Sequence, residues 1–213
     1  MPEAAWIREN LQSIVDQARS ASPFIRLLIL ALVALCVMRG KVVTSLLAGL
    51  VGAVCITAAV MSVAFEDQAN VFIFLVFFVL GLLWGVQALS LPGAVRPRPR
   101  QVVPACAFGL AAFFYPHFVE GVNGAVLFAP VGIVPCPTLI LASAAVMAAG
   151  RALSLRVAAS TWAAGALFGG LGVFYLGVKV DWILIAAVPV SAVVYFASTG
   201  PVKAGGGRRR RPR

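Results

Sequence analysis

The chain has 213 residues, of which 62% are hydrophobic and 11% charged, with mean hydropathy +1.00 and a formal net charge of +10. Soluble domains carry about 25% charge, so this composition excludes a water-soluble globular protein. Apolar runs of roughly 17–25 residues, the length needed to cross a bilayer, recur along the chain and leave no room for a separate soluble domain.

Residues 1–22 are expected to form an interfacial helix rather than a span. Trp6, Ile7, Leu11, Ile14, Val15 and Ala18 recur at helical spacing, with Arg8, Glu9, Gln12, Asp16 and Arg19 between them. This suits a helix lying at headgroup depth or packing on a partner subunit. Glu3, Glu9 and Asp16, with no apolar core beside them, are the wrong order for a cleavable secretory signal.

The transmembrane domain is expected over 23–198, with seven spans near 21–38, 42–65, 70–89, 102–118, 131–149, 155–178 and 182–198. Backbone polar groups in hydrocarbon must be satisfied within their own segment, so the spans are helices and the fold class is an all-α bundle. Arg26 and Pro189 interrupt the first and last spans, and Arg26 is placed to snorkel from a span end.

Orientation follows from the basic residues. Thirteen of seventeen, from Arg39, Lys41, Arg96, Arg98, Arg100, Arg151 and Arg156 to the tail, fall on one side of the expected membrane. All seven acidic residues, Glu3, Glu9, Asp16, Glu66, Asp67, Glu120 and Asp181, fall on the other. Cytoplasmic loops are rich in Lys and Arg, which puts the C-terminus in the cytoplasm and the N-terminus outside. The tail at 199–213 reads as a glycine hinge and a basic cluster that can rest on anionic lipid. It lacks the folded basic surface of a nucleic-acid binder.

The spans are poor in ionisable groups, with Gln87 and scattered serines and threonines as their main polar content. That counts against an ion pump, whose path needs such groups. Gly165 and Gly169 form a GxxxG pair, and Ala145 and Ala149 mark a second small-residue face, both suited to close helix approach. The third span carries Phe72, Phe74, Phe77, Phe78 and Trp84 around its circumference, which fits a lipid-facing helix, a partner contact or a pigment or lipid cleft. The four cysteines lie in apolar segments, where buried thiols are the default. A single histidine leaves no bis-histidine haem site, zinc-protease site or catalytic triad, so the chain reads as non-enzymatic.

One connection is chemically distinctive. Between the fourth and fifth spans, Tyr115, His117, Glu120 and Asn123 cluster in an otherwise apolar stretch broken by Pro116, Pro130, Pro135 and Pro137. Cys136 falls in the first turn of the fifth helix, where the helix dipole favours a thiolate and desolvation opposes it. Two readings fit: a proline-kinked re-entrant loop closed by a Tyr-His-Glu hydrogen-bond set, or a ligand or soft-metal site using Tyr115, His117, Glu120, Cys136 and Thr138.

Tyr115-Pro116, then Ala129-Pro130 and Gly132, then Pro135-Cys136-Pro137-Thr138 and Ile140 resemble an uncharacterised bacterial membrane family, domain of unknown function 6064. The resemblance implies a short-looped multi-pass bundle with the Cys-Pro-Thr segment as its site. It brings no activity.

Two functions are expected from these residues. The first is a non-catalytic accessory subunit of a membrane assembly in the bacterial cytoplasmic membrane, with protein partners inside the bilayer. The second is a small permease or binder for a soft metal or neutral solute, with Cys136 and His117 as ligands, Glu120 and Thr138 in support and Tyr115 as gate or donor. No cofactor is named by either.

Overall fold

Long apolar runs bounded by proline, glycine and charge fold into helices. The computed structural model describes residues 42–63, 68–90, 94–95, 97–115 and 131–198, with single positions between 9 and 30. Six α-helices lie in these residues: α1 (Thr44–Val63), α2 (Gln68–Ser90), α3 (Pro99–Phe113), α4 (Pro135–Ala149), α5 (Leu155–Gly170) and α6 (Trp182–Ala197). Five segments are long and apolar enough to cross a membrane: Ser45–Val63, Val71–Ser90, Pro135–Ala152, Leu155–Tyr175 and Lys179–Ala197. By length and composition this is a helical membrane protein. Two short strands, β1 (Val42–Val43) and β2 (Ala94–Val95), pair antiparallel and tie the start of α1 to the connection after α2.

α3 is shorter than the expected 102–118 span. At 15 residues it is about 22 Å long by the rise of an α-helix, below the ~30 Å of a bilayer core. It ends at Phe113, and the next residues are Phe114 in a turn and Tyr115 without regular secondary structure. The sequence reason is Pro116, which disfavours helical backbone at the residue before it. α4 also starts later than expected, at Pro135, after a turn over 131–134. Gly132 takes φ 78° in that turn, and Pro135 supplies a first helical residue without an amide donor. α6 runs through Pro189 unbroken.

α4 is the centre of the bundle and is buried on almost every side, packed by α1, α3, α5 and α6. The expected small-residue contacts are present. Added Cβ atoms at Gly165 and Gly169 would lie 2.7 Å from Val188 Cγ2 and 3.1 Å from Ile185 Cγ1, so glycine sets the α5–α6 spacing. Gly52 and Gly81 do the same for α1 and α2: a Cβ on Gly52 would be 3.1 Å from both Gly81 O and Gly85 N. Trp84 joins this pair to the rest, donating from Nε1 to Thr161 Oγ1 at 3.1 Å.

The aromatic helix divides by face. Phe77 and Trp84 are fully buried, whereas Phe72, Leu75, Phe78, Val79, Leu82 and Val86 are exposed on apolar surface. Arg26, expected to reach from a span end towards the interface, is held against the end of α3. Its guanidinium is buried, donates from Nη2 to the carbonyl of Phe113, and sits 4.0 Å over the Phe113 ring. The carbonyl of Phe113 at the C-terminus of α3 and an aromatic face give the cation part of what water would otherwise supply. In the N-terminal stretch the described positions are few: Val15 is buried and helical, and Gln12 donates to Asp16 at 3.1 Å. The remainder of 1–22, most of the first expected span and the 199–213 tail lie outside the described residues.

Candidate functional site: a carboxylate, a thiol and a phenol at a cavity wall

Three chain segments meet at one end of the bundle. The second residue after α3 is Tyr115, the first turn of α4 presents Cys136, and a short 3-10 turn at Lys179–Asp181 presents Asp181 immediately before α6. Asp181 joins them. It accepts from the Tyr115 hydroxyl at Oδ1 and from the Cys136 thiol at Oδ2, the latter over 3.2 Å. Tyr115 and Asp181 are each 1% exposed, and Cys136 is half-buried. A thiol that donates to a carboxylate keeps its proton, so this geometry holds Cys136 as the thiol. The thiolate that the α4 N-terminus alone would favour is set against an adjacent negative group.

Local folding makes this convergence possible. α5 passes into a π-helical turn at Leu171–Tyr175, the kind of irregularity often found at functional positions. Gly172 in that turn lies directly on Asp181, and a Cβ there would overlap Oδ2. Its carbonyl accepts from Val178 N at 2.8 Å, folding 172–178 back on itself with Gly177 at φ 69°. Asp181 N then donates to Val178 O at 3.0 Å and sets the turn that starts α6. Glycine at 172 is therefore required by the approach of the carboxylate.

Beside the cluster is a cavity of about 190 Å³. Its accessible wall is almost entirely apolar, with Phe72, Phe168 and Leu171 prominent in it, and Tyr115, Cys136 and Asp181 back one side. Phe168 anchors that lining, with its ring 6.1 Å from Phe72 and 5.6 Å from Phe77. Phe72, Leu171 and Tyr175, also on the wall, are partly exposed and form a rim open towards the apolar surface of the bundle.

Of the five residues singled out in the sequence, two belong to this cluster. Thr138 is buried nearby in a structural role: its Oγ1 donates to Val134 O at 2.8 Å and accepts from Gly132 N at 2.9 Å, fastening the 131–134 turn to α4. His117 and Glu120 lie outside the described residues, as does Asn123. A Tyr-His-Glu hydrogen-bond set was expected here; Tyr115 donates to Asp181, and the other two members lie outside the described residues. Asp181 itself was read as a marker of an exterior connection. In the structure its carboxylate is buried and faces inward, while Lys179 of the same turn is exposed. One signal did exist in the sequence, since Leu176, Val178 and Val180 surround Lys179 and Asp181 with apolar residues in a connection too short to reach far into water.

No group of three or more His, Cys, Asp or Glu able to hold a metal occurs among the described residues. Cys55, on α1, is completely buried in the core. No family model, curated protein or solved structure matches this chain.

Proposed function

We propose that this chain is a non-catalytic, multi-pass protein of the bacterial cytoplasmic membrane that binds a small, mainly apolar molecule at the Tyr115–Cys136–Asp181 end of its bundle. The observation carrying this reading is the cavity of about 190 Å³, almost wholly apolar in its wall and backed by one buried carboxylate held by a phenol and a thiol. An apolar cavity with a few convergent polar groups is the usual form of a small-molecule site. A dry cavity of roughly 150 Å³ takes a benzene ring, so the ligand portion held here is of ring size or a short alkyl chain. This reading is preferred to an accessory subunit, because exposed apolar helix faces are equally what lipid covers.

In the same proposal the bundle has seven spans. The cavity end faces outward, and the end bearing Arg98, Arg100, Arg151 and Arg156 faces the cytoplasm, as the distribution of basic residues supports. The resemblance of 115–140 to domain of unknown function 6064 is consistent with a site at Cys136 and adds no ligand.

Photolabelling tests the binding reading. The full chain in lipid nanodiscs is irradiated with an uncharged adamantane diazirine and its peptides are mapped by mass spectrometry. Saturable labelling of Val134–Cys136 and Leu171–Val178 is expected. Labelling confined to lipid-facing positions such as Leu89, Val193 and Phe196, with none in the cavity segments, would overturn it.

A further inference from the structure

We infer that the end of the bundle away from the cavity holds an anionic phospholipid by its phosphate, with Arg100 and Arg151 as the principal contacts and Arg156 in support. The inference stands apart from what the cavity binds, and it holds whichever side of the membrane this end faces. Two arginines from different segments arrive at one place. Arg100, in the first turn of α3, donates from Nη2 to the carbonyl of Ala197 at 2.8 Å. Arg151, just after α4, donates from its amide to Ser198 Oγ at 2.8 Å. Ala197 and Ser198 are consecutive residues at the C-terminal end of α6, so both arginines are anchored at the same point of the fold. Gly150, packed against the side chains of Gln101 and Ser198, fixes the second anchor.

Helix closure accounts for these bonds and leaves the charge unexplained, since a glutamine could donate to Ala197 as well. A guanidinium has five N–H donors, so one bond to Ala197 leaves Arg100 others that face outward. Arg100, Arg151 and Arg156 are all exposed, and none forms an ion pair among the described residues. Two of them also stand where a cation is disfavoured. Arg100 and Arg156 lie in the first turns of α3 and α5, at the positive end of each helix dipole, and neither turn contains an acidic residue. Positive charge gathered in this way is complementary to an anion supplied from outside the chain.

The surroundings of the arginines select the anion. Val103, one turn further along α3 from Arg100, is exposed, as are Leu155 beside Arg156 and Phe196 beside Ala197. Trp162, Tyr195 and Phe196 stack on one another at this end of α6, and aromatic groups of this kind are common at headgroup depth. A soluble polyanion would leave the apolar side chains in water. A diacyl lipid covers them with its chains while its phosphate meets the guanidinium groups. Arginine suits that partner, because its planar fork matches two phosphate oxygens at once. A zwitterionic lipid brings the same chains and phosphate with a cancelling cation, so the site is expected to require net negative charge.

The test is native mass spectrometry of the full chain with phosphatidylglycerol and phosphatidylcholine of identical acyl chains. Phosphatidylglycerol is expected to bind more tightly. Replacing Arg100 and Arg151 together by glutamine should weaken its binding about twenty-five-fold, at roughly fivefold for each arginine near anionic lipid, and leave phosphatidylcholine unchanged. Replacing Arg208, Arg209, Arg210 and Arg211 by glutamine should have a smaller effect than the double variant. Should the double variant fold poorly, the wild type supplies the same answer. A phosphatidylglycerol carrying a diazirine beside its headgroup should label residues 98–103 and 151–156, and the matching phosphatidylcholine should label them less. Equal binding and equal labelling by the two lipids would overturn the inference, as would a folded double variant that binds like the wild type. Loss of the preference in the tail variant alone would place it in the tail, and displacement of the lipid by inorganic phosphate would assign the site to a soluble anion; either result overturns the lipid assignment.

Discussion

The two ends of this bundle both bury polar groups, and they use them differently. At the basic end, side chains serve backbone. Gln101 accepts from Arg98 N at 2.9 Å, Ser198 from Arg151 N at 2.8 Å and Gln87 from Ser154 N at 3.3 Å, while Arg100 and Tyr195 donate to the carbonyls of Ala197 and Leu153. These bonds close helix ends whose amides and carbonyls have no partner inside the helix. At the cavity end, Tyr115 and Cys136 both bond Asp181 across three separate segments, and an apolar cavity lies beside them. Polar residues that complete the backbone are explained by folding alone. A carboxylate placed among apolar residues with two side-chain donors is an expensive arrangement, and it marks the end at which to look for function.

Substitutions at the two ends should separate these roles. The largest effect is expected at the basic end from Gly150→Ala. Gly150 has φ 54° and ψ −142°, and a Cβ there would lie 2.5 Å from Gln101 Nε2 and 2.6 Å from Ser198 Oγ. Backbone strain and overpacking together should cost about 2–5 kcal/mol. Thermal unfolding in detergent should show a large loss of stability, with the remaining folded protein still labelled in its cavity by the apolar diazirine. A small change in stability would mean that the clasp of Gln101, Ser198 and Gly150 is looser than described.

Next in size is Tyr115→Phe. This removes one donor from a buried carboxylate and should cost about 1–3 kcal/mol. Unlike the change at Gly150, it should also increase the rate at which Cys136 is modified by methyl methanethiosulfonate, since the cluster that orders the thiol is weakened. Unchanged stability and unchanged reactivity together would place the Tyr115 hydroxyl outside the cluster.

Cys136 gives the smallest effect. Cys136→Ser keeps a donor to Asp181 and should stay within about 1 kcal/mol of the parent, whereas Cys136→Ala leaves that side of the carboxylate without it and should lose about 1–2 kcal/mol. Equal unfolding temperatures for the two variants would show that the thiol acts only as a space-filling group.

Most of the architecture was legible from the sequence because it rests on length, hydropathy and helix breakers. The spans expected near 42–65, 70–89 and 182–198 match α1, α2 and α6 within a few residues. That near 155–178 divides into α5 and the Leu171–Tyr175 π-turn. Proline explains both boundary errors, at Tyr115-Pro116 and at Pro135, and each was visible in principle. Tyr115 and Cys136 were identified because their segment departs from the apolar background. Asp181 was missed because a charge near a span end is ordinarily in water, and the sequence does not reveal that 172–181 folds back to bury it. Gly172 carried no signal either. Its role depends on which side chain lies against it, and hydrophobic periodicity says nothing about partners on other segments.

The hydrogen bond from Cys136 to Asp181 is the contact on which this account turns. Its most direct measurement is the infrared S–H stretch of a variant in which Cys36, Cys55 and Cys106 are replaced by alanine and only Cys136 remains. The account predicts a band shifted to lower frequency than that of a free thiol, which returns to the free-thiol position in the additional Asp181→Ala variant. A band at the free-thiol position in the presence of Asp181, or one that Asp181→Ala fails to move, would contradict it.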